Sequence, residues 1–230
     1  MGDNTITRYR TLATGAAILA FVVALEVEDL VDPTNAGSTA QRLHDAAAHP
    51  IRLAAAAALL FLSSALLIPT IATLRSLVRQ RLKGHRLISA AAAIWTIGAL
   101  GHATVVGYYA VLAAAAHHQT PQVLAALNDT TGTDNGIGPI LGVGIACFAL
   151  GCLLTLAALI RSGILSRWLL LAIIAGIAGQ PLGKTIGIRA FDLGQLAAVT
   201  PLIWVGWRLT TTAIRTHPEH SRNLIAALET

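Results

Sequence analysis

Residues 11–32 read TLATGAAILAFVVALEVEDLVD. Residues 11–24 carry no charge, and the eight residues that follow hold the four carboxylates Glu26, Glu28, Asp29 and Asp32. An α-helix rises 1.5 Å per residue, so about 20 apolar residues cross the ~30 Å of hydrocarbon in a bilayer. The stretch therefore reads as a membrane span that meets a set of acids at its far end. It has no small-residue cleavage site after the apolar run, which makes it a retained signal anchor and not a removed signal peptide.

The rest of the chain agrees with this opening. Of its 230 residues 55% are hydrophobic and 12% charged, about half the charged fraction of an ordinary soluble domain. Mean hydropathy is +0.67. Apolar runs at roughly 11–31, 51–74, 87–116, 136–160, 164–181 and 190–208 predict an all-α, polytopic transmembrane bundle of about six spans, forming one integral membrane domain over 1–230. The fifth run is short and ends in Gly179-Gln180-Pro181-Leu182-Gly183, which reads as a broken or kinked helix. Pro69 and Pro201 are expected to kink the second and sixth spans.

Charge fixes the expected orientation. Twelve of the 16 Lys and Arg residues fall on one side of these spans, and the positive-inside rule makes that side cytoplasmic, with both termini there. The loop RSLVRQRLKGHR (75–86) accounts for much of a pI near 9.9 as a topogenic segment beside anionic lipid, so nucleic acid is not expected as a partner. The expected setting is the plasma (inner) membrane, with the bilayer and a lipophilic small molecule as partners. Cys147 and Cys152 are five apart in an apolar run and do not share a helix face, so they read as small hydrophobes. No zinc or nucleotide pattern is present, and no metal or cofactor is expected.

Eight of the 11 acids lie on or near the outer side. Acids contribute little to topology, so their asymmetry wants another reason. From the cytoplasmic end of each span, Glu26 lies roughly 22 Å and Asp29 roughly 27 Å along the first, and His102 roughly 22 Å along the third. Arg52 starts the second span, Gln180 closes the fifth, and Asp192 and Gln195 open the sixth. These polar groups converge on one layer in the outer third of the membrane, where charge is tolerated only toward a bundle interior or wet cavity. Glu26 and Asp29 are i, i+3 and share one face; Glu28 and Asp32 are i, i+4 and share another. Glu26 is the deepest, so the first pair is expected to point inward while the second meets headgroups or water. The expected site has Glu26 or Asp192 as proton donor and His102 or Asp29 as base or relay. Arg52, Tyr108, Gln180 and Gln195 would contact the substrate. Tyr108 and Tyr109 also fit an interfacial aromatic belt.

Two outer loops carry helix signals: Ser38-x-x-Gln41 is a capping box, and Thr120-Pro121 an N-cap with proline at N1, the second helix ending at Asn128-Asp129. Gly138-x-x-x-Gly142 and the spacing of Ala172, Gly176 and Gln180 are faces for close helix packing.

Residues 32–109 carry a resemblance. The run of DPTN, TAQRLHDAAAHPIRLAAAAALLFLSSALLIPTIATLRSLVRQR and HRLISAAAAIWTIGALGHATVVGYY resembles a family of uncharacterised six-helix integral membrane proteins of high-GC, actinobacterial-type bacteria. That resemblance implies the six-span architecture and no particular activity. In its residue types the acidic layer is also similar to small membrane-embedded terpene cyclases, whose carboxylic acids protonate a lipophilic epoxide or alkene; Glu26 and Asp192 would take those parts. The expected function is acid–base chemistry (isomerisation, cyclisation or hydrolysis) on a lipophilic, isoprenoid-like substrate. The alternatives are a small-solute or proton-linked transporter and an accessory, partner-binding membrane protein.

Overall fold

The computed structural model describes residues 2–34, 38–81, 83–118, 120–131, 138–169, 171 and 190–215. All regular structure among them is α-helical: α1 (Gly2–Val31), α2 (Thr39–Ala48), α3 (Pro50–Arg79), α4 (His85–Ala115), α5 (Pro121–Thr131), α6 (Gly138–Arg161) and α7 (Ala190–Arg215). Four stretches are long and apolar enough to cross a membrane: Tyr9–Val31 of α1, and the whole of α3, α4 and α6. They match the first four predicted spans to within a few residues at most ends. The fifth predicted span, 164–181, lies mostly outside the described residues, as do Gly176 and Gln180. The sixth falls within α7, which is not among those four. Both α3 and α7 run on as helix through Pro69 and Pro201.

These helices are apolar on their outer faces as well as their inner ones. Phe61, Ile68 and Leu100 are 65–68% exposed in mid-helix. Such exposed apolar side chains suit a lipid environment, in which helices associate through packing and not through the exclusion of water.

Packing follows a simple order: α1 lies between α7 and α3, and α4 between α3 and α6. The α4–α6 contact is antiparallel, with Trp95, Gly98 and Gly101 meeting Gly151, Phe148 and Gly144 in turn. At the crossing the two backbones touch: a methyl on Gly144 would sit 2.5 Å from the Gly101 Cα, and one on Gly98 2.7 Å from the Phe148 Cα. A second close approach joins Gly15 of α1 to Gly206 of α7. Gly142, by contrast, has no described residue within 4 Å of a methyl built on it, so it takes no part in the α4–α6 contact. The contact uses Gly144 and Gly151 of the same helix.

Two cores fill the bundle. The larger joins Phe21 of α1, Leu67 and Leu74 of α3, Trp95 of α4, Leu156 of α6 and Val205 of α7, with Phe21 and Phe148 flanking the Trp95 ring at centroid distances of 6.2 and 6.0 Å. The smaller lies at the acidic end, where Leu43 of α2 and Leu127 of α5 cover Leu53, Leu60, Tyr109 and Leu112. The two short helices form where their caps predict. Ser38 Oγ accepts the Gln41 N–H and Thr120 Oγ1 accepts the Val123 N–H, both at 3.3 Å. Gln41 turns its own amide to Asp45 instead of back to the cap, and α5 runs past Asn128-Asp129 to Thr131, with Asn128 Oδ1 accepting the Thr39 hydroxyl of α2.

At the opposite end α3 turns into α4 through Gly84, whose φ of +95° is open to glycine and strained for other residues. A methyl there would also lie 2.9 Å from the Ala158 carbonyl oxygen of α6. Gly84→Ala should therefore cost about 2 kcal/mol or more, the left-handed penalty alone being roughly 1–2. The melting temperature of the detergent-purified variant checks this; an unchanged value would show that the turn is not packed against α6.

Candidate functional site

The acids at the end of α1 do not sit as expected. Glu28 and Asp32 are the buried pair, at 9% and 6% exposure, while Glu26 and Asp29 are half-buried. The reason lies across the interface, on α4, which runs parallel to α1. The Tyr109 hydroxyl lies 2.8 Å from Glu28 Oε1 and 2.8 Å from Asp32 Oδ2. Glu28 and Asp32 are one helical turn apart, so a single phenol placed beside that face reaches both. The face was readable from their spacing. Its direction was decided by a tyrosine 77 and 81 residues away.

Local chain geometry holds Asp32 in place. It follows the last helical residue, its N–H donating to the Glu28 carbonyl at 2.9 Å, and Pro33 stops the helix behind it. Its Oδ1 accepts both the Thr34 N–H and the Thr34 hydroxyl at 2.8 Å, an Asx turn built from Asp-Pro-Thr. Both carboxylate oxygens of Asp32 are thus engaged, one by the turn and one by Tyr109.

Hydrogen counting defines what the trio can do. A phenol has one hydrogen to donate. When it goes to one carboxylate, the other 2.8 Å contact is a full hydrogen bond if that carboxyl carries a proton and donates to the phenol oxygen; otherwise the one phenol hydrogen is divided between both carboxylates. The geometry accommodates one proton shared between two carboxyl groups, with tyrosine as the bridge. Burying two bare carboxylates side by side would be far costlier.

The remaining predicted residues are placed differently. Arg52 is exposed and caps α1: its Nε donates to the Val31 carbonyl at 3.2 Å and its Nη2 approaches the Leu30 carbonyl at 3.5 Å. That use of a cation suits the negative end of the helix dipole. His102 lies two turns from Tyr109 toward the middle of α4 and stacks on Phe148 of α6, centroids 4.4 Å apart and planes at 30°. Its Nδ1 is buried with no hydrogen-bond partner among the described residues. The Tyr108 hydroxyl is likewise buried without one, within the smaller core. Asp192 and Gln195 lie in the first two turns of α7, their side chains outside the described residues. Among the described residues no group of three His, Cys, Asp or Glu gathers to hold a metal. Comparison with protein-family models, curated proteins and solved structures gives no match to this chain.

Proposed function

We propose that this protein is a six-span membrane enzyme, both termini cytoplasmic, that performs acid–base chemistry on a lipophilic, isoprenoid-like molecule reaching it from the bilayer. The observation that carries this reading is the buried Glu28–Tyr109–Asp32 trio. A shared proton in a low-dielectric site is a ready donor to an alkene or epoxide, and the carboxylate left behind takes a proton back when the product forms. His102, whose Nδ1 two turns away has no partner among the described residues, is the candidate relay; Glu26, Asp29 and Asp192 are the further acids of the same layer, and Tyr108, Gln180 and Gln195 the candidate contacts to substrate. The resemblance to six-helix membrane proteins is consistent with this architecture.

Proton-linked transport is the competing reading, and the described residues give it less support. A proton taken up at the trio would need a polar path to the other side. Between the trio and the basic end lie Phe21, Leu67, Leu74, Trp95 and Leu156. The buried hydroxyls of Ser63 and Thr155 there are bonded back to carbonyls of their own helices, while the Thr70 hydroxyl and the Trp95 indole N–H are buried there with no partner among the described residues.

The test is mass spectrometry of lipophiles retained in mild detergent by wild type, Glu28→Gln and Asp192→Asn, all three first shown to fold. A specific compound whose chemical form differs in Glu28→Gln is the expected result. Identical bulk lipid in all three would sink the enzyme reading, and proton flux in vesicles would then decide the transport one.

A further inference from the structure

At the end of the molecule opposite the acids, Lys83 of the α3–α4 turn, His85 and Arg86 at the start of α4 and Arg161 of α6 line one open cleft of about 360 Å³ with Gly84 and Leu87. No carboxylate among the described residues is in the lining. Among the described residues no hydrogen bond or ion pair takes up any of the four basic side chains. The four side chains are exposed, and the three full positive charges among them repel one another weakly through water. An anion seated among them relieves that repulsion.

The cleft is built and not merely gathered by flexible side chains. Gly84 packs against the last turn of α6, close to the Ala158 carbonyl and the Val78 side chain. The end of α6 has no call on these cations. Gly163, at φ +74°, closes a Schellman motif in which the Ile164 N–H donates to the Leu159 carbonyl and the Gly163 N–H to the Ile160 carbonyl, both at 3.0 Å. Arg161 is thus not needed as a cap. The start of α4 is open in the complementary sense. Gly84 gives that 31-residue helix no side-chain cap, so its first-turn N–H groups add donors at the same end.

The position fits a headgroup. A helix of 30 residues, the length of α3, spans about 45 Å, the full thickness of a bilayer with its headgroup layers. The turn after Arg79 then lies where lipid phosphates lie. Arg and Lys are the residues that recognise phosphate, Arg through paired N–H donors.

We propose that this cleft is a binding site for a phosphate group, supplied by the headgroup of an anionic phospholipid or by a soluble phosphate compound. The test compares wild type with two variants that remove the same charge: Arg86→Gln with Arg161→Gln inside the cleft, and Arg10→Gln with Arg79→Gln at the same end but outside it. Each is reconstituted in nanodiscs of mixed phosphatidylglycerol and phosphatidylcholine, and the lipid retained after delipidation is counted by native mass spectrometry. A parallel arm titrates inorganic phosphate and pyrophosphate onto detergent-solubilised protein, followed by thermal shift. The lipid form of the proposal expects a phosphatidylglycerol preference that falls at least tenfold in the cleft variant and stays in the outside variant. A phosphate-dependent thermal shift lost only in the cleft variant, without lipid preference, supports the site and assigns it to a soluble ligand. Equal losses in both variants would show general attraction to a basic face, and no anion preference in wild type would show no site; either result overturns the proposal. Matching helicity and elution of both variants guards against misfolding as the cause.

Discussion

Gly144→Ala is expected to lower stability, and Gly142→Ala, two residues earlier on the same helix, is expected to raise it. The chemistry is identical and only the surroundings differ. Among the described residues a methyl at 142 meets nothing within 4 Å, so the substitution gains the ordinary helix preference for alanine over glycine, about 0.5–1 kcal/mol. A methyl at 144 would lie 2.5 Å from the Gly101 Cα. Backbone cannot rotate away as a side-chain tip can, so α4 and α6 must part. The separation would loosen the neighbouring contacts of Gly98 with Phe148 and Gly151 with Trp95 as well. Overpacking of this kind costs about 1–3 kcal/mol, and Gly144→Leu should exceed it. At roughly 2–4 °C per kcal/mol for a chain of this size, the two alanine variants should melt several degrees apart on opposite sides of wild type. Thermal unfolding in one detergent, with far-UV dichroism, checks the signs. Equal shifts would mean that the close crossing of α4 and α6 does not hold in solution.

What could be read from the chain divides along the range of the interactions. The apolar runs and the caps at Ser38 and Thr120 are local, set by a few consecutive residues and by length against bilayer thickness, and the structure places helices at the first four runs, at the sixth and after both caps. The glycine contact is not local. Gly138-x-x-x-Gly142 has the familiar spacing, yet the pair that touches is Gly101 with Gly144, and only the opposing helix selects which glycines matter. The same limit explains the acids. Glu26 with Asp29 and Glu28 with Asp32 are equally good faces of one helix, and depth favoured the first. Tyr109 decided for the second, and a tyrosine near the end of a span reads by default as interfacial. The sharper clue in the sequence was Asp32-Pro33-Thr34, an Asx-turn signature that fixes one carboxylate at the helix end and orients its free oxygen inward.

Removing the Tyr109 hydroxyl should be the most damaging single-atom change in the acidic layer. Tyr109→Phe keeps the ring within the smaller core and deletes only the oxygen that bridges Glu28 and Asp32. A hydrogen bond to a charged group contributes about 1.5–3 kcal/mol, and a buried carboxylate left without its partner costs more. A loss of about 2–4 kcal/mol is expected on those grounds. Glu28→Gln tests the coupling: an amide can donate to the phenol oxygen while the phenol donates to Asp32, so this variant should be milder, and the double variant should lose less than the sum. An interaction energy of about 1–3 kcal/mol from the cycle is the expected result, and additivity would mean that the three groups do not act together. Infrared spectroscopy separates the proton from the packing. A protonated carboxyl shows a carbonyl stretch that a carboxylate lacks, and a proton shared within the trio predicts one such band in wild type at neutral pH. Its absence would show that Tyr109 serves one carboxylate at a time, and the trio would then fasten α1 to α4 without holding a proton that an enzyme could use. Its presence, with loss in Glu28→Gln, would put a transferable proton inside the membrane layer, where no structural requirement of the helix pair calls for one.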